Sequence, residues 1–530
     1  MAEEHWLIAD TIPPQYTPQG RRLSTRGVIA GLVAAVLLGI ALTLQWRGWG
    51  AVASESGGRC GGRYGRSCPQ GSTAILVLSM LALFPLIPLT LVAIFGRLRR
   101  RDAVGRIVAV LTLAAIAVGV WPGNVIYGWA HGPVLTTVWT APPEPDSRLS
   151  GQGSWLLPGA VVRARPDRLV SYDLATGRIR FTYTVPDPQL LCAMSRTTAA
   201  GVGLIAYGSE SGPCRHVVAL DLASGRELWH QDLPEEGMPT GTAKDFVSVS
   251  GGVAVVAAAA TTARSLGGRQ GLQAFDLRTG AARWHRELGG TCTVQAVGGQ
   301  VTAIVECVTT PSATSVASGA SSRITYAVHG LDPATGRDVW QTPVPYQAAN
   351  ANVDALSYDP LVLHVRETTT RGTDRLLSLD PTGHIKASID AGSAGSSATL
   401  DMSTGGSAVL PTPSYAITHD LLLVQSRAAV GYRRAIEAYA LADGHRVWSH
   451  SLGHDSLQAL TVDGDRLIAL TETGFKETLT SYRISDGARR TIGLVRLDLF
   501  TAQASLFSQN GTYAIVDSNG NTYPPIAALR

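Results

Sequence analysis

The sequence predicts an all-β propeller, with eight blades and seven as the alternative count, behind three α-helical transmembrane spans. Two observations predict it. A phrase of strand, Asp-x-x-Thr-Gly turn, strand and Trp recurs seven times after residue 170. A period of this size marks a blade that cannot bury both its faces alone. Ahead of it, the runs 27–46, 73–95 and 107–129 are apolar and carry no charged residue, and about 20 such residues in a helix cross a hydrocarbon core.

Residues 1–26 read as a disordered cytoplasmic tail. The Pro13-Pro14-Gln15-Tyr16 stretch within it fits a WW-domain ligand pattern, but so short a match is chance. Residues 27–130 form the three-span anchor. The third span is firm over 107–121, and Pro122, Gly123 and Asn124 place its remainder at the interface. Trp46, Trp121, Tyr127 and Trp129 suit the interfacial aromatic belt. Arg97, Arg99, Arg100, Arg101 and Arg106 mark the turn between spans two and three as cytoplasmic, and Arg21, Arg22 and Arg26 put the N-terminus on that side. Arg47, Arg59, Arg63 and Arg66 run against the rule in the first loop. An odd number of spans still sets the C-terminal region opposite the N-terminus, so the expected place is the cytoplasmic (inner or plasma) membrane with the propeller outside. A cleaved signal peptide ending at Ala51-Val52-Ala53 is the competing reading of span one, and its apolar run is long for that.

Composition follows this division. Charged residues make up 16% of the chain, below the ~25% of ordinary globular proteins, because the apolar spans dilute them. Residues 1–134 hold 12 arginines against 5 acids, net +7, and the rest holds 32 basic against 35 acidic residues, net −3. The basic balance therefore belongs to the membrane flanks, and nothing supports a nucleic-acid surface. The six cysteines fall into the local pairs Cys60/Cys68, Cys192/Cys214 and Cys292/Cys307 on the expected outer side, where disulfides persist. Six free buried thiols is the alternative. For the third pair, a Gly298-Gly299 turn folds two alternating strands and brings the cysteines opposite one another.

Residues 131–150 read as a proline-marked linker, with 134–140 as a possible ring-closing strand, and 151–530 as the propeller. The repeat residues are Asp173 and Gly177; Asp221, Gly225 and Trp229; Asp276, Gly280 and Trp284; Asp332, Gly336 and Trp340; Asp380 and Gly383; Gly444 and Trp448; and Gly487. Asp accepts hydrogen bonds from turn amides, Gly takes a positive φ, and the aromatic four residues later fills the wedge between blades. Phe181 stands in the first copy, Ala387 replaces Trp in the fifth, and Ala440 and Arg483 replace the turn Asp in the last two. Insertions 311–322 and 392–407 have loop composition. Residues 504–529 supply only three strands of an eighth blade, with Asn510-Gly511 and Asn519-Gly520 as hairpin turns, so 134–140 would supply the fourth and remove the exposed edges.

These residues resemble the pyrroloquinoline-quinone (PQQ)-like, quinoprotein-type propeller repeat, whose phrase is close to A-L-D-x-x-T-G-x-x-x-W, over about three quarters of the chain. The resemblance implies one of two branches. One is the membrane or periplasmic quinoprotein dehydrogenases, which hold the quinone beside Ca²⁺ bound by carboxylate and amide oxygens, with an Asp base and often adjacent cysteines. The other is the non-catalytic BamB-like scaffolds of the cell envelope. The repeat Asp and Trp are structural in both, and no two cysteines here are adjacent.

A substitute catalytic set does not emerge. Asp354, Asp359, Asp374, Glu367 and His364 fit a solvated loop and strand rim; His450 and His454 flank a surface turn; Asp463-Gly464-Asp465 is a hairpin turn before a strand at 467–470. Asn510-Gly511-Thr512 fits a glycosylation sequon, which turn duty explains. The expectation is therefore a membrane-anchored extracytoplasmic propeller without catalytic, cofactor or metal residues, acting as a binding scaffold. Its partners would be the lipid bilayer and an unidentified envelope protein or ligand. A PQQ- and calcium-dependent dehydrogenase is the first alternative, and a sensor ectodomain signalling through a separate protein the second.

Overall fold

The structure is a computed structural model that describes residues 25–56, 72–83, 103–142, 151–210, 212–233, 245–257, 271–288, 295–297, 302–310, 323–346, 351–367, 372–393, 395–405, 409–410, 412–431, 433–453, 455–473, 476–495, 504–517 and 524–530. The chain divides into two compact units, Met1–Gly132 and Pro133–Arg530.

The first unit contributes helices α1 (Thr25–Ser56), α2 (Ser72–Leu83) and α3 (Ala103–His131). Among the described residues two stretches, Gly31–Ala53 and Val110–His131, are long and apolar enough to cross a membrane. The expected second span is described only as α2, and 84–95 lie outside the described residues. The third segment is helical through Pro122 to His131, which agrees with the expected 107–129, so Trp121 lies within it and Trp129 near its end. Proline removes the ladder bond to Val118 O, and the Asn124 side-chain amide donates to Val120 O at 3.1 Å. α1 meets α3 glycine to glycine: a Cβ on Gly39 would stand 2.1 Å from Ile116 O, and one on Gly119 2.2 Å from Val36 O.

The second unit is a closed ring of eight four-stranded antiparallel blades. Blades 1 to 7 span 153–184, 190–232, 247–287, 295–343, 351–390, 398–453 and 456–495, each running from its innermost strand outward. Blade 8 takes Ala504–Gln509, Thr512–Asp517 and Ile526–Leu529 from the C-terminus and its outermost strand, Thr137–Thr140, from the start of the unit. Thr137 pairs with Leu529 and Thr140 with Ala527. The expected closure from both ends is thus formed, and blade 8 has its full set of four strands. Asn510 and Gly511 turn the blade 8 hairpin with φ of 52° and 73°, the geometry a two-residue type I′ turn needs.

Eight separate apolar clusters fill the eight seams between neighbouring blades. Strands of each blade read apolar because both faces are covered, as in Val202–Gly208, buried throughout. The predicted Cys192–Cys214 disulfide forms inside blade 2, joining its innermost strand to its third.

The hairpin expected to set Cys292 opposite Cys307 is described in part. Cys307 lies in the strand Thr302–Thr310, where its partner across the sheet is Tyr326 of Arg323–Leu331. On the other side of that strand the hairpin is antiparallel as expected, and Gln295 stands opposite Val305 and Val297 opposite Ala303. Cys292, the Cys307 side chain, Cys60 and Cys68 lie outside the described residues.

Blade 6 departs from the others. Its innermost strand is broken into Ala398–Leu400 and Tyr415–Ile417, both paired with Leu421–Ala428. The interval between them carries a small hairpin, Thr404–Gly405 with Thr412–Pro413. Residues 392–407, expected to be loop, therefore supply strand. Ser and Thr dominate the segment, and its composition hid its pairing. Residues 311–322 lie outside the described residues.

Candidate functional site

The repeat residues build latches between blades. In each intact turn the Asp carboxylate accepts from the amides two and three residues on: Asp173 from Ala175 and Thr176, Asp276 from Arg278 and Thr279, Asp332 from Ala334 and Thr335. Asp221 does the same work through Ala223 N and the Ser224 hydroxyl, and Asp380 through Thr382 and His384 N. Gly177, Gly225, Gly280, Gly336, Gly383, Gly444 and Gly487 close the turns at φ between 69° and 85°. At each but Gly444 a side chain is excluded for a second reason. A Cβ would fall 2.3–2.8 Å from Trp139, Phe181, Trp229, Trp284, Trp340 or Trp448, an aromatic of the preceding blade.

Each of the five indoles also donates its N–H to the carbonyl of the second turn residue: Trp139 to Leu174, Trp229 to Leu277, Trp284 to Pro333, Trp340 to Pro381 and Trp448 to Ile484, at 2.8–2.9 Å. Trp139 was not anticipated as a repeat residue, because the ring-closing strand is separated from the rest of its blade by almost the whole domain. Its Thr-Val-Trp-Thr sequence is the signal that was available.

Copies without the leading Asp keep the turn by another route. Asp443 and Asp486, standing where other copies have Thr, accept from His445 N and Ala488 N. Two seams lack an aromatic. At the seam of blades 7 and 8 there is no turn to latch, and Leu135 packs instead against Gly493. At the seam of blades 5 and 6 the turn is present, but Ala387 stands where the ring would be.

The channel side of the ring holds a polar cluster that the repeat does not account for. At the end of the innermost strand of blade 2 stands Ser195, whose carbonyl accepts from Trp155 Nε1 at 2.7 Å and whose hydroxyl accepts from Leu204 N at 3.2 Å. The next residue, Arg196, reaches across the channel. Its Nε and Nη2 lie 2.5 and 2.8 Å from the two carboxylate oxygens of Asp245, before the innermost strand of blade 3. Its Nη1 points to the carbonyls of Ala355 and Leu356 in blade 5, each at 3.4 Å. The guanidinium carbon stands 5.3 Å from the Tyr358 ring centroid, and Tyr358 donates its hydroxyl to Asp245 Oδ1 at 3.1 Å.

Burial, then the Asp245 charge, raises the Tyr358 phenol well above its ordinary range. Burial also raises Tyr415, at the same site, to about 12, so both phenols are protonated donors at neutral pH. Asp245 adopts φ of 59° to make the contact, a left-handed conformation that Asp tolerates better than most residues. The cluster binds blades 2, 3 and 5 together. Sequence reasoning missed it: Arg196 and Asp245 are 49 positions apart, and neither belongs to a motif.

Beside Arg196 lies a channel cavity of about 430 Å³. The interrupted strand of blade 6 crosses it: Leu410 N donates to Gln152 O at 2.8 Å, and the hydroxyls of Thr412 and Ser505 meet at 2.7 Å, joining blade 6 to blades 1 and 8. The described lining is hydroxyl and apolar. It includes Ser154, Ser357, Thr461 and Phe507, has Arg196 as its one cation, and contains no carboxylate.

The remaining sequence candidates disperse. His364 pairs with Asp374 at 2.6 Å, and Glu367 is buried and accepts from Thr373 N. They are strand residues, as the expected strand rim has it, and Asp359 lies in a turn; only the burial of Glu367 departs from the solvated setting expected. His450 packs on Trp448 and Tyr482, and His454 lies outside the described residues. Asp463 accepts from the Ser508 hydroxyl at 2.6 Å beside a turn with Gly464 at φ 58°. Among the described residues no three His, Cys, Asp or Glu side chains converge on a metal position.

The family described as outer membrane protein assembly factor BamB matches residues 195–381. The ring is a propeller of PQQ-like repeats. Comparison with curated proteins finds no match. Among solved structures, the quinohemoprotein alcohol dehydrogenase of Comamonas testosteroni is similar at 12% identity and a TM-score of 0.45, over 74% of this chain and 76% of that one. The quinohemoprotein alcohol dehydrogenase ADHIIG of Pseudomonas putida HK5 is similar at 13% identity and a TM-score of 0.40, over 74% and 75%.

Proposed function

We propose that this chain is a membrane-anchored, extracytoplasmic propeller that acts as a non-catalytic scaffold of the cell envelope, binding a protein or ligand on a face of the ring. In this reading the anchor has three spans with the N-terminus inside, and the ring lies outside, where the Cys192–Cys214 disulfide persists.

One observation carries the proposal: the one cation in the described lining of the channel cavity is engaged by Asp245 and two backbone carbonyls. PQQ is a tricarboxylate quinone whose calcium needs carboxylate ligands. The described lining offers neither a free cation for the first nor an acidic side chain for the second, so these residues do not fit the cofactor.

The test is to add PQQ and Ca²⁺ to the purified full chain, then follow bound-quinone absorbance and dye reduction with alcohols and sugars. No binding is the expected result. Stoichiometric binding with substrate-dependent turnover would overturn the scaffold reading in favour of a dehydrogenase.

A further inference from the structure

The seam between blades 5 and 6 is, among the described residues, the one place where a complete latch turn meets no aromatic ring. Ala387 is buried, faces Ser378 across the sheet and holds the position that Trp229, Trp284, Trp340 and Trp448 hold elsewhere. The turn it should meet, 440–444, is formed: Gly444 N donates to Ala440 O at 2.9 Å, and Leu441 N to Asp420 O at 2.8 Å. Leu441 is the second residue of that turn. Its carbonyl corresponds to those that accept an indole N–H in five other seams, and no described side chain donates to it.

A cavity of about 280 Å³ opens at this place, lined by Ser378, Lys386 and Leu441 together with the acidic turns holding Asp359, Asp380 and Asp420. That size is near the lower end for ligand sites and suits a single ring system. Trp340 forms part of the opposite wall.

We propose that this seam receives a tryptophan side chain of a partner protein, which completes in trans the latch the chain itself omits. The indole would lie in this cavity beside Leu441 and Ala442 and donate its N–H to the Leu441 carbonyl. Three carboxylates against Lys386 and His419 in the lining favour a basic residue beside that tryptophan. The proposal deepens the scaffold reading by naming the chemistry of its partner. Its test contains no quinone, so failure here is distinguishable from failure there.

The probes are the capped dipeptides acetyl-Trp-Arg-amide, acetyl-Trp-Glu-amide and acetyl-Leu-Arg-amide, titrated against the full chain in detergent by ligand-observed NMR. The expected result is binding of the Trp-Arg peptide, several-fold weaker binding of Trp-Glu, and none of Leu-Arg. Ala387→Trp should fill the seam, raise the unfolding temperature by about a degree or more and abolish peptide binding. Should that variant fail to fold, Ala387→Leu gives the same competition with a smaller side chain. Equal binding of the leucine and tryptophan peptides, or undiminished binding to whichever variant folds, overturns the proposal. Equal binding of Trp-Arg and Trp-Glu removes its charge component.

Discussion

Replacing Trp139 tests whether the ring is closed as its latches imply. Its strand comes from the far end of the domain, its indole N–H donates to Leu174 O at 2.8 Å, and its ring stacks on Tyr172 with centroids 6.0 Å apart. Removing a fully buried aromatic costs about 3–5 kcal/mol. Trp139 is half-buried, which leaves roughly 2 kcal/mol for packing, and the hydrogen bond adds about 1 kcal/mol. Trp139→Ala should therefore cost about 3 kcal/mol. Unfolding entropy of ~2.1 cal/mol/K per residue over about 400 residues converts this to a fall in Tm of about 3–4 °C. Trp139→Phe keeps a ring but loses the donor, and should fall by about 1 °C. Differential scanning calorimetry of the full chain in detergent reads the shift, and amide exchange should rise at Ile526–Leu529, the strand that Trp139's strand covers. If Trp139→Ala unfolds within a degree of the wild type, or if Val138→Ala at the exposed neighbouring position falls as far, the closure argument is refuted.

Four further outcomes follow from the same structure. Reducing or replacing Cys192 and Cys214, which close a loop of sequence separation 22, should cost about 3 kcal/mol on the chain-entropy estimate; calorimetry with and without a reductant measures it, and the double-alanine variant should not respond to the reductant at this site. Arg180, then Thr176, holds the Asp173 carboxyl down at about 2, and Arg283 with the Thr279 amide lowers Asp276 further. A carboxyl held below the unfolded value of about 3.9 stabilises fully above that pH and loses its contribution as the pH falls toward 2, so Asp173→Asn with Asp276→Asn should flatten acid-induced loss of stability between pH 4 and 2, read by circular dichroism. Asp245→Ala strips the partner from a largely buried guanidinium and should cost about 3 kcal/mol or more, with part of it regained by also changing Arg196 to Met. Gly39→Leu would drive a side chain into the Ile116 carbonyl and should abolish monodisperse elution of the solubilised chain, whereas Gly31→Leu, where the space is open, should not.

The ring was legible because its information is local and repeated. Asp276, Thr279 and Gly280 specify a turn within five residues, and Trp284 reports a fixed distance from it. The closing strand was legible as a strand because blade 8 lacked one, yet Trp139 went unread as a latch, since its turn partner belongs to blade 1 and no copy of the phrase surrounds it. The hairpin carrying Cys307 was legible in its direction, because a Gly-Gly pair between two alternating runs marks a turn. The helix through Pro122 was legible in its extent, because an apolar run of this length favours unbroken helix in a membrane over the punctuation that proline and glycine give soluble helices. The Arg196–Asp245 pair could not be read at all. Its partners meet only after three blades have closed around the channel, and neither residue sits in a pattern that spacing could reveal.

The latches also separate what maintains the ring from what distinguishes it. Each is made between the outermost strand of one blade and the outer turn of the next, so it constrains residues on the rim and leaves the innermost strands unassigned. The departures fall where that constraint is absent. Blade 6 breaks its innermost strand and sends it across the channel toward Gln152 and Ser505, and blade 2 extends Arg196 from the end of its innermost strand to reach blade 5. Asp443 and Asp486 show the opposite behaviour on the rim, where a lost turn residue is replaced by another that satisfies the same amide. Compensation at the turns of blades 6 and 7 makes the uncompensated Ala387 informative. With Ala387 at the indole position, Ser388 O and Ile389 Cγ1 come within 3.0 and 3.4 Å of where a Cβ on Gly444 would stand, so the strand itself closes over that glycine and leaves the Leu441 carbonyl as the part of the latch without a described side-chain donor.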